Sequence, residues 1–210
     1  IPKGDFTDMI YVLTALVGYL VGSFSTAKLI GRIKGKDISA GGTGNLGASN
    51  TTILLGWKCG VLVGAVDILK GFFTILLTLL LSDFNIPLGL CAGVACILGH
   101  IFPFYLQFKG GKGFATLIGV IFGFDWKFGL LVVLFIFLIT WITDYIALAT
   151  CTTAVLFPIR VYLSTRSLIA LGIVLPVMLV VILKHRLNFR RIFITRSGET
   201  GLSQLIHRKH

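Results

Sequence analysis

The feature that most constrains this chain is a succession of apolar runs, most of them long enough to cross a lipid bilayer. A membrane-spanning helix needs about 20 mostly apolar residues, with a range of about 17–25. Such runs are predicted near 8–33, 52–81, 86–106, 128–143, 145–163 and 168–183, with a shorter one at 114–124. We expect the run at 52–81 to be bent or broken, because it is too long for one untilted span and contains Lys58, Asp67 and Lys70. The sequence therefore predicts an all-α integral membrane protein with about seven transmembrane helices, some of them short or broken.

The composition agrees with a membrane location. Hydrophobic residues make up 56% of the 210 residues and charged residues 13%, whereas a soluble domain has roughly 45–50% and about 25%. The polar segments are too short to form a second domain, so we expect one membrane domain over 1–210. The first run lacks a basic leader and a small-residue cleavage site, which argues against a cleaved signal peptide. The four cysteines lie within or beside apolar runs without a CxxC pair, so they are interpreted as buried hydrophobic residues rather than disulfides or zinc ligands.

The basic residues predict the orientation, because loops rich in Lys and Arg stay on the cytoplasmic side. On one side of the membrane the seven predicted crossings place Lys34, Lys36, Lys109, Lys112, Lys184, Arg186, Arg190, Arg191 and Arg196. The other side has only Lys3, Lys127 and Arg166. The chain is therefore predicted to lie in the inner (plasma) membrane, with residues 1–7 outside, glycine-rich loops in the cytoplasm and a cytoplasmic tail over 195–210. The net charge of +11 follows from this topology without a nucleic acid partner, although anionic substrates or lipid headgroups could use the same charges.

A first polar segment, "GGTGNLGASN" (Gly41–Asn50), interrupts the apolar runs. Glycines let backbone amides approach a ligand closely, and successive N–H groups can form an anion-binding nest, to which Thr43 and Ser49 could add hydroxyl donors. The following helix is expected to begin near 49–52, and its N-terminus would add partial positive charge. An ordinary tight turn between helices is the alternative interpretation.

A second glycine-rich segment, "FKGGKG" (Phe108–Gly113), has two lysines. Lys112 is expected to enter the first turn of the short helix that follows, where its ammonium could meet an anion. A Walker-type phosphate loop is excluded, because Gly113 stands where Ser or Thr is required and no strand precedes it. The alternative is that these lysines serve only as a topology signal.

Polar residues near helix ends form a third group. In "KHRLNFRR", His185 and Asn188 are three positions apart and would share one face of a continuing helix, and His100 precedes a helix end limited by proline. Each could equally be a satisfied structural residue. Asp67 and Lys70, also three apart, are predicted to neutralise each other and to support the site rather than to react.

Five segments, in this order, resemble the acyl-phosphate:glycerol-3-phosphate acyltransferase family of bacteria, the PlsY family. They are "GSFSTAKLIGRIKGKD", "GGTGNLGASN", "VLVGAVDILKG", "GHIFPFYLQFKGGKGFAT" and "KHRLNFRR". The second resembles the family signature GSGNxGATN, and the fourth resembles GHxFPxxxxFKGGKGxAT, the most specific block. The resemblance covers nearly the whole chain.

The resemblance implies a fold of seven membrane helices whose active site opens to the cytoplasm. The implied reaction transfers a fatty acyl group from acyl phosphate to the 1-hydroxyl of glycerol 3-phosphate, giving lysophosphatidate and phosphate. It implies no metal and no cofactor. The partners it implies are these small molecules and membrane lipids. The family lacks a His-x4-Asp motif, as does this sequence, where Tyr105 follows His100 and Arg190 follows His185 at that spacing.

On the matching positions the resemblance implies three groups of site residues. The catalytic group is Lys112, His185, Asn188 and Ser49. The substrate-binding group is Ser23, Thr43, Gly44, Asn45, Gly47, Asn50, His100, Lys109, Gly110, Gly111 and Gly113. Asp37, Asp67 and Lys70 are expected to support the site. A substrate phosphate is the base proposed in the family, and His100 and His185 stay open as alternatives.

Two departures from the family pattern concern arginines. The family commonly has Arg where this chain has Ser39, and again where it has Ile53. Arg binds phosphate bidentately. The absence of the two arginines could therefore weaken the binding of a phosphate by ~3 kcal/mol, unless Lys28, Arg32 or Lys36 compensates. Two further hypotheses therefore stay open: a related enzyme that uses another hydroxylated acceptor, and a non-catalytic carrier or binding protein for an anionic lipid or metabolite.

Overall fold

A computed structural model of the protein describes the backbone of residues 3–193 and the side chains of residues 7–189. All regular secondary structure in the described part is helical. Its helices are α1 (Lys3–Ser23), α2 (Thr26–Ile33), α3 (Ala48–Leu55), α4 (Trp57–Leu81), α5 (Ile86–Ile101), a short 3-10 helix (Phe104–Leu106), α6 (Phe114–Phe124), α7 (Trp126–Thr143), α8 (Ile146–Thr165), α9 (Leu168–Lys184) and α10 (Arg186–Phe193). The predicted tail over 195–210 lies outside the described residues.

The predicted membrane fold is confirmed. Six helical segments of the described chain are long and apolar enough to cross a bilayer, and α6 is a shorter apolar helix of 11 residues. At 1.5 Å per residue, α6 is about 16 Å long, roughly half of the ~30 Å hydrocarbon core. The short helix expected at 114–124 is therefore present with those bounds.

Two of the apolar runs are interrupted. The run expected at 52–81 divides at Gly56, whose φ of 85° is a conformation that favours glycine and separates α3 from α4. This confirms the expected break. The first run also divides, between α1 and α2, where the Ser25 hydroxyl caps α2 by accepting from the Lys28 amide. The sequence did not predict this second break, and α1 begins at Lys3, earlier than the expected start near Asp8.

The chain forms two compact units, Ile1–Asp125 and Trp126–His210, and each is described by itself. The single domain expected over 1–210 stays a prediction. In the second unit α7 packs on α8 and α8 on α9, and prolines lie inside α8 (Pro158) and α9 (Pro176).

Glycines let the helices of the first unit approach closely, as small residues do in membrane proteins. Gly18 and Gly22 of α1 face the backbone of α5, and Gly99 of α5 faces the backbone of α1. In the same way Gly71 of α4 and Gly119 of α6 bring these two helices together. The central helix α5 is buried along most of its length, and its C-terminal end leads into the second glycine-rich segment.

Candidate functional site

The two glycine-rich segments lie at the same end of the first unit. Leu106, just before the second segment, packs against a hydrophobic cluster that contains Leu46 from the first segment and Ile38, which precedes it. The connection between α1 and α2 also lies beside the second segment, because the Ser25 amide donates to the Tyr105 hydroxyl at 3.1 Å. The structure thus brings together two of the three polar patches that the sequence predicts to converge.

Asn50 organises the first segment from inside. Its Nδ2 donates to the carbonyl oxygens of Ile38 (2.8 Å) and Gly41 (3.1 Å), and its Oδ1 accepts from the Thr43 amide at 2.7 Å. The side chain is fully buried. The polar atoms of Asn50 are therefore bonded within the protein and support the loop, and its predicted role in substrate binding stays a prediction.

The outer face of the first segment keeps donors at the surface. Thr43, Gly44 and Ser49 are exposed, Asn45 is half-buried and Gly47 is buried. Gly47 is the N-cap of α3, which begins at Ala48, close to the expected start near 49–52. The first amides of a helix have no acceptor within the helix. An anion at this end of α3 would therefore meet backbone N–H groups together with the Ser49 hydroxyl.

Asp37 shapes the entry to the first segment. Its Oδ1 accepts from the Ser39 hydroxyl at 2.6 Å and the Ser39 amide at 2.9 Å, and it pairs with the Lys28 ammonium at 3.1 Å. These hydrogen bonds, that from the Ser39 hydroxyl first, lower the pKa of Asp37 from 3.8 to about 2. Ser39, which stands where the family has Arg, is thus part of a turn and not a substitute for a guanidinium.

We expect Ser39→Ala to raise the pKa of Asp37 from about 2 towards 3.8, because it removes the main hydrogen bond to the carboxylate. A carboxylate with a lowered pKa stabilises the fold above its unfolded pKa, and this contribution is lost as the pH falls from about 3.8 through 2. NMR titration of the Asp37 carboxyl carbon in the detergent-solubilised wild-type and Ser39→Ala proteins measures this pKa in each. An unchanged midpoint in Ser39→Ala would contradict the assigned cause.

Ile53 occupies the other position where the family has Arg. Its Cγ2 would lie 3.5 Å from a side-chain carbon built on Gly42, so its side chain lies beside the first segment. Two proposed substitutes for the arginines are already engaged, since Lys28 pairs with Asp37 and the Lys36 ammonium donates to the Leu54 carbonyl at 3.0 Å. Arg32 is exposed and lines a small polar pocket of about 320 Å³ together with both lysines.

In the second segment the backbone is bonded to the end of α5. The Gly110 amide donates to the Ile101 carbonyl at 3.1 Å, and the Gly111 amide donates to the His100 carbonyl at 3.0 Å. These two amides are therefore bonded within the protein, and the predicted phosphate-binding role of Gly110 and Gly111 stays a prediction. A side-chain carbon at either glycine would overlap atoms of His100.

Lys112 lies just before α6 rather than in its first turn. Gly113, with φ of 86°, is the N-cap, and α6 begins at Phe114. This corrects the predicted register, because the glycine conformation ends the loop one residue after the lysine. Lys112 is half-buried, whereas Lys109 is exposed. Lys112 is thus still held next to the amides that open α6.

Asp67, Lys70 and His100 form a buried polar cluster beneath the second segment. The predicted ion pair is present, with the Lys70 ammonium 2.8 Å from Asp67 Oδ1. Since that oxygen has no aligned hydrogen bond, we describe the contact as a charge pair. The sequence did not predict that His100 joins the pair, because its position is 30 residues from Lys70.

The Ser23 side chain is hydrogen-bonded within its own helix. Its hydroxyl donates to the Tyr19 carbonyl at 2.8 Å, and the residue is buried. The hydroxyl is thus engaged within α1, and the predicted binding role of Ser23 stays a prediction. Tyr19, which the sequence analysis missed, donates its hydroxyl to the Phe102 carbonyl at 2.6 Å and so connects α1 with the end of α5.

His185 and Asn188 belong to the second unit. His185 is the C-cap of α9 and is buried, and its Nδ1 lies 2.8 Å from the Val181 carbonyl, to which it must donate. A separate helix, α10, begins at Arg186, so the expected continuous helix through 185–188 is wrong. That these residues join the other two patches stays a prediction.

An apolar groove of about 540 Å³ runs along α1, α4 and α5. Its lining includes Val17, Val21, Phe73 and Leu77, and it contains Lys70 at one end and Leu81 at the other. Since these two residues of α4 are eleven positions apart, the groove follows that helix for about 16 Å. Such a groove has the shape and the apolar lining that a fatty acyl chain needs.

The fold and these two loops define a polytopic α-helical membrane protein whose polar site is at one end of a helical unit. Comparison with known proteins gives its family. The family model "Glycerol-3-phosphate acyltransferase" matches residues 12–195. The chain belongs to this family of glycerol-3-phosphate acyltransferases, which confirms the resemblance found in the sequence.

Individual relatives agree with this assignment. Glycerol-3-phosphate acyltransferase 1 of Oceanobacillus iheyensis is 37% identical over 208 residues, covering 96% of this chain and 99% of that protein. The crystal structure of PlsY (YgiH), an integral membrane glycerol 3-phosphate acyltransferase, in its glycerol 3-phosphate form superposes with a TM-score of 0.84 at 31% identity, covering 94% of this chain and 99% of the other. Its lysophosphatidic acid form gives a TM-score of 0.80 with the same identity and coverage.

Proposed function

We propose that this acyltransferase moves a fatty acyl group from acyl phosphate to the 1-hydroxyl of glycerol 3-phosphate, giving lysophosphatidate and phosphate. The observation that carries the proposal is the placement of two glycine-rich segments, with Lys112 and the exposed donors Thr43 and Ser49, at one end of the first unit. The similar PlsY structures hold glycerol 3-phosphate in one form and lysophosphatidic acid in the other, which supports this acceptor and product.

The chemistry needs positioning and charge neutralisation more than a strong nucleophile. Acyl phosphate is already activated, so the acceptor hydroxyl attacks the acyl carbonyl carbon, the bond from that carbon to the phosphate oxygen breaks, and phosphate leaves. The hydroxyl proton passes to a base, for which a phosphate of the substrate is our first candidate. Donors that neutralise developing charge contribute most in such a site, and Lys112 is the cation best placed for that role.

The acyl chain is assigned to the apolar groove along α1, α4 and α5. The Lys70 end of this groove is close to the second glycine-rich segment, because Lys70 contacts His100, whose carbonyl accepts from the Gly111 amide. A chain lying there would present its activated end to the polar site. We further propose that the protein lies in the plasma membrane with this site facing the cytoplasm, as the distribution of Lys and Arg predicts.

The decisive experiment is a reconstitution with defined substrates. Purified protein is incubated with acyl phosphate and glycerol 3-phosphate, and released phosphate and lysophosphatidate are measured beside a family member. We expect both products in equal amounts. No product while the reference enzyme is active would refute the proposal, and binding of either substrate without turnover would favour a non-catalytic carrier.

A second candidate function follows from Ser39 and Ile53. Because neither position supplies a guanidinium, the acceptor pocket holds two fewer phosphate-binding arginines than the family pattern. An enzyme with the same donor and another hydroxylated acceptor is therefore the alternative. It would release phosphate from acyl phosphate in the presence of that acceptor, but not with glycerol 3-phosphate.

We expect Ile53→Arg to raise kcat/KM for glycerol 3-phosphate by about tenfold or more, because a charge-assisted hydrogen bond contributes about 1.5–3 kcal/mol. The side chain at this position lies beside Gly42 of the first segment, and a guanidinium there could reach a bound phosphate. Ile53→Leu, which keeps an apolar side chain, is the matched control and should leave activity unchanged. If Ile53→Arg gives no gain in an active enzyme, this position does not face the acceptor phosphate.

A further inference from the structure

The buried cluster beneath the second glycine-rich segment has a defined pattern of hydrogen bonds. The Lys70 ammonium donates to the Phe24 carbonyl at 3.0 Å, lies 2.9 Å from His100 Nδ1, and pairs with Asp67 at 2.8 Å. All three side chains of the cluster are less than a tenth exposed. The ammonium is therefore fixed by contacts to three different parts of the first unit.

This geometry determines which nitrogen of His100 holds the proton. A lysine ammonium has donors and no acceptor, and the Lys70 ammonium lies 2.8 Å from the carboxylate of Asp67. At 2.9 Å the contact is a hydrogen bond only if Nδ1 presents its lone pair. The distance of 3.5 Å between His100 Nδ1 and Asp67 Oδ1 is too long for a competing bond from a protonated Nδ1. The ring is thus neutral, with its proton on Nε2.

The protonated nitrogen faces the glycine turn. A side-chain carbon at Gly111 would overlap His100 Nε2, so this atom lies directly beside the Gly111 backbone. The His100 carbonyl also accepts from the Gly111 amide at 3.0 Å. The main chain and the ring of His100 therefore both contact the turn that leads into Lys112 and the start of α6.

We propose that Asp67 and Lys70 are positioning residues that hold His100 as a neutral, fixed Nε2–H donor for a phosphoryl oxygen bound at the Gly111 turn. The inference deepens the proposed function and rests on it. It also removes His100 from the candidates for the general base, because its Nε2, the nitrogen beside Gly111, already holds a proton. Asp67 contributes by pairing with the Lys70 ammonium at 2.8 Å, which holds that ammonium in place.

The test reads the tautomer directly, apart from activity. The full-length protein is labelled with ¹⁵N-histidine and reconstituted in nanodiscs, and His100 is identified among the four histidines by its absence from His100→Ala. Couplings from the ring protons to each nitrogen then show which one is protonated at neutral pH. A single Nε2–H tautomer supports the inference, whereas an Nδ1–H ring or an imidazolium overturns it. The tautomer is read from the wild-type protein, and if His100→Ala fails to fold, the His100 signal is assigned with His100→Asn instead.

A charge-neutral variant, Asp67→Asn/Lys70→Met, tests the positioning role without leaving one buried charge unpaired. We expect His100 to lose its single tautomer and kcat/KM to fall about 10- to 100-fold, as for loss of a hydrogen bond to a charged group. In a His100→Ala background the same pair of changes should alter kcat/KM less than about threefold, because the pair acts through His100. Additive losses with an unchanged tautomer would show a merely structural role and overturn the inference.

The same kinetics identify the phosphate that His100 contacts. A rise in KM for glycerol 3-phosphate alone assigns the acceptor phosphate, and a rise for acyl phosphate alone assigns the donor. Unchanged KM and kcat for both substrates would refute the contact. Failure of the proposed function is distinguishable, because it appears as absence of product from wild-type protein while the spectrum still reports the ring.

Discussion

Replacing Lys112 with alanine is expected to lower kcat/KM for acyl transfer by about 100-fold or more while the helical fold is retained. The reaction releases phosphate, and removal of one preorganised donor to developing charge costs about 10²–10³ in rate. Lys112 lies immediately before the N-cap of α6, and we expect its ammonium and the first amides of that helix to act on the same phosphate. Steady-state kinetics with acyl phosphate and glycerol 3-phosphate measure the loss.

The control for Lys112→Ala is Lys127→Ala. Lys127 lies in the first turn of α7 and its ammonium contacts the Trp126 ring, so it tests loss of one positive charge that is not part of either glycine-rich segment. Its activity should stay close to wild type. Circular dichroism and thermal unfolding of both variants report on the fold. An active Lys112→Ala enzyme would remove this lysine from the site.

Replacing Gly111 with alanine is the second change for which we expect a large effect. The added methyl group would overlap His100 Nε2, and the packed end of α5 leaves the ring little room to move. Overpacking a buried site costs about 1–3 kcal/mol of stability. Because the displaced ring and the turn both adjoin Lys112, we also expect kcat/KM to fall at least about tenfold.

Gly172→Ala is the matched control for Gly111→Ala. It makes the same chemical change inside α9, where a side-chain carbon would meet no atom within 4 Å. Alanine is a better helix former than glycine, so stability should be unchanged or slightly higher and activity unaffected. Equal effects of the two substitutions, in unfolding temperature and in kinetics, would contradict the steric explanation.

Much of the fold could be predicted, because bilayer thickness ties the length of an apolar run directly to a helix. The break at Gly56 followed from a run too long for one span, and the brevity of α6 followed from its 11 apolar residues. The break between α1 and α2 was missed. The sequence has a local N-cap residue there, Ser25, but the interruption also depends on contacts from elsewhere, such as the hydrogen bond from Lys70 to the Phe24 carbonyl.

Less of the site could be predicted, because a sequence motif identifies residues but does not indicate which hydrogen bonds their polar atoms form. Asn50 and Gly111 are in the segments that resemble the family, yet Asn50 is bonded within its own loop and the Gly111 amide is bonded to His100. Such bonds depend on the path of the backbone between helices. The grouping of His100 with Asp67 and Lys70 likewise depends on how α4 and α5 pack against each other. No local sequence pattern indicates that packing.

The brevity of α6 has a consequence for the surrounding lipid. A helix of about 16 Å that starts at the loop end of the bundle brings Asp125, the residue that ends it, well short of the opposite leaflet. A bilayer can adapt to a helix this short by becoming thinner beside it. Hydrophobic mismatch of this kind has a modest cost per ångström. The protein should therefore be more stable in bilayers of short-chain lipids than in thick ones.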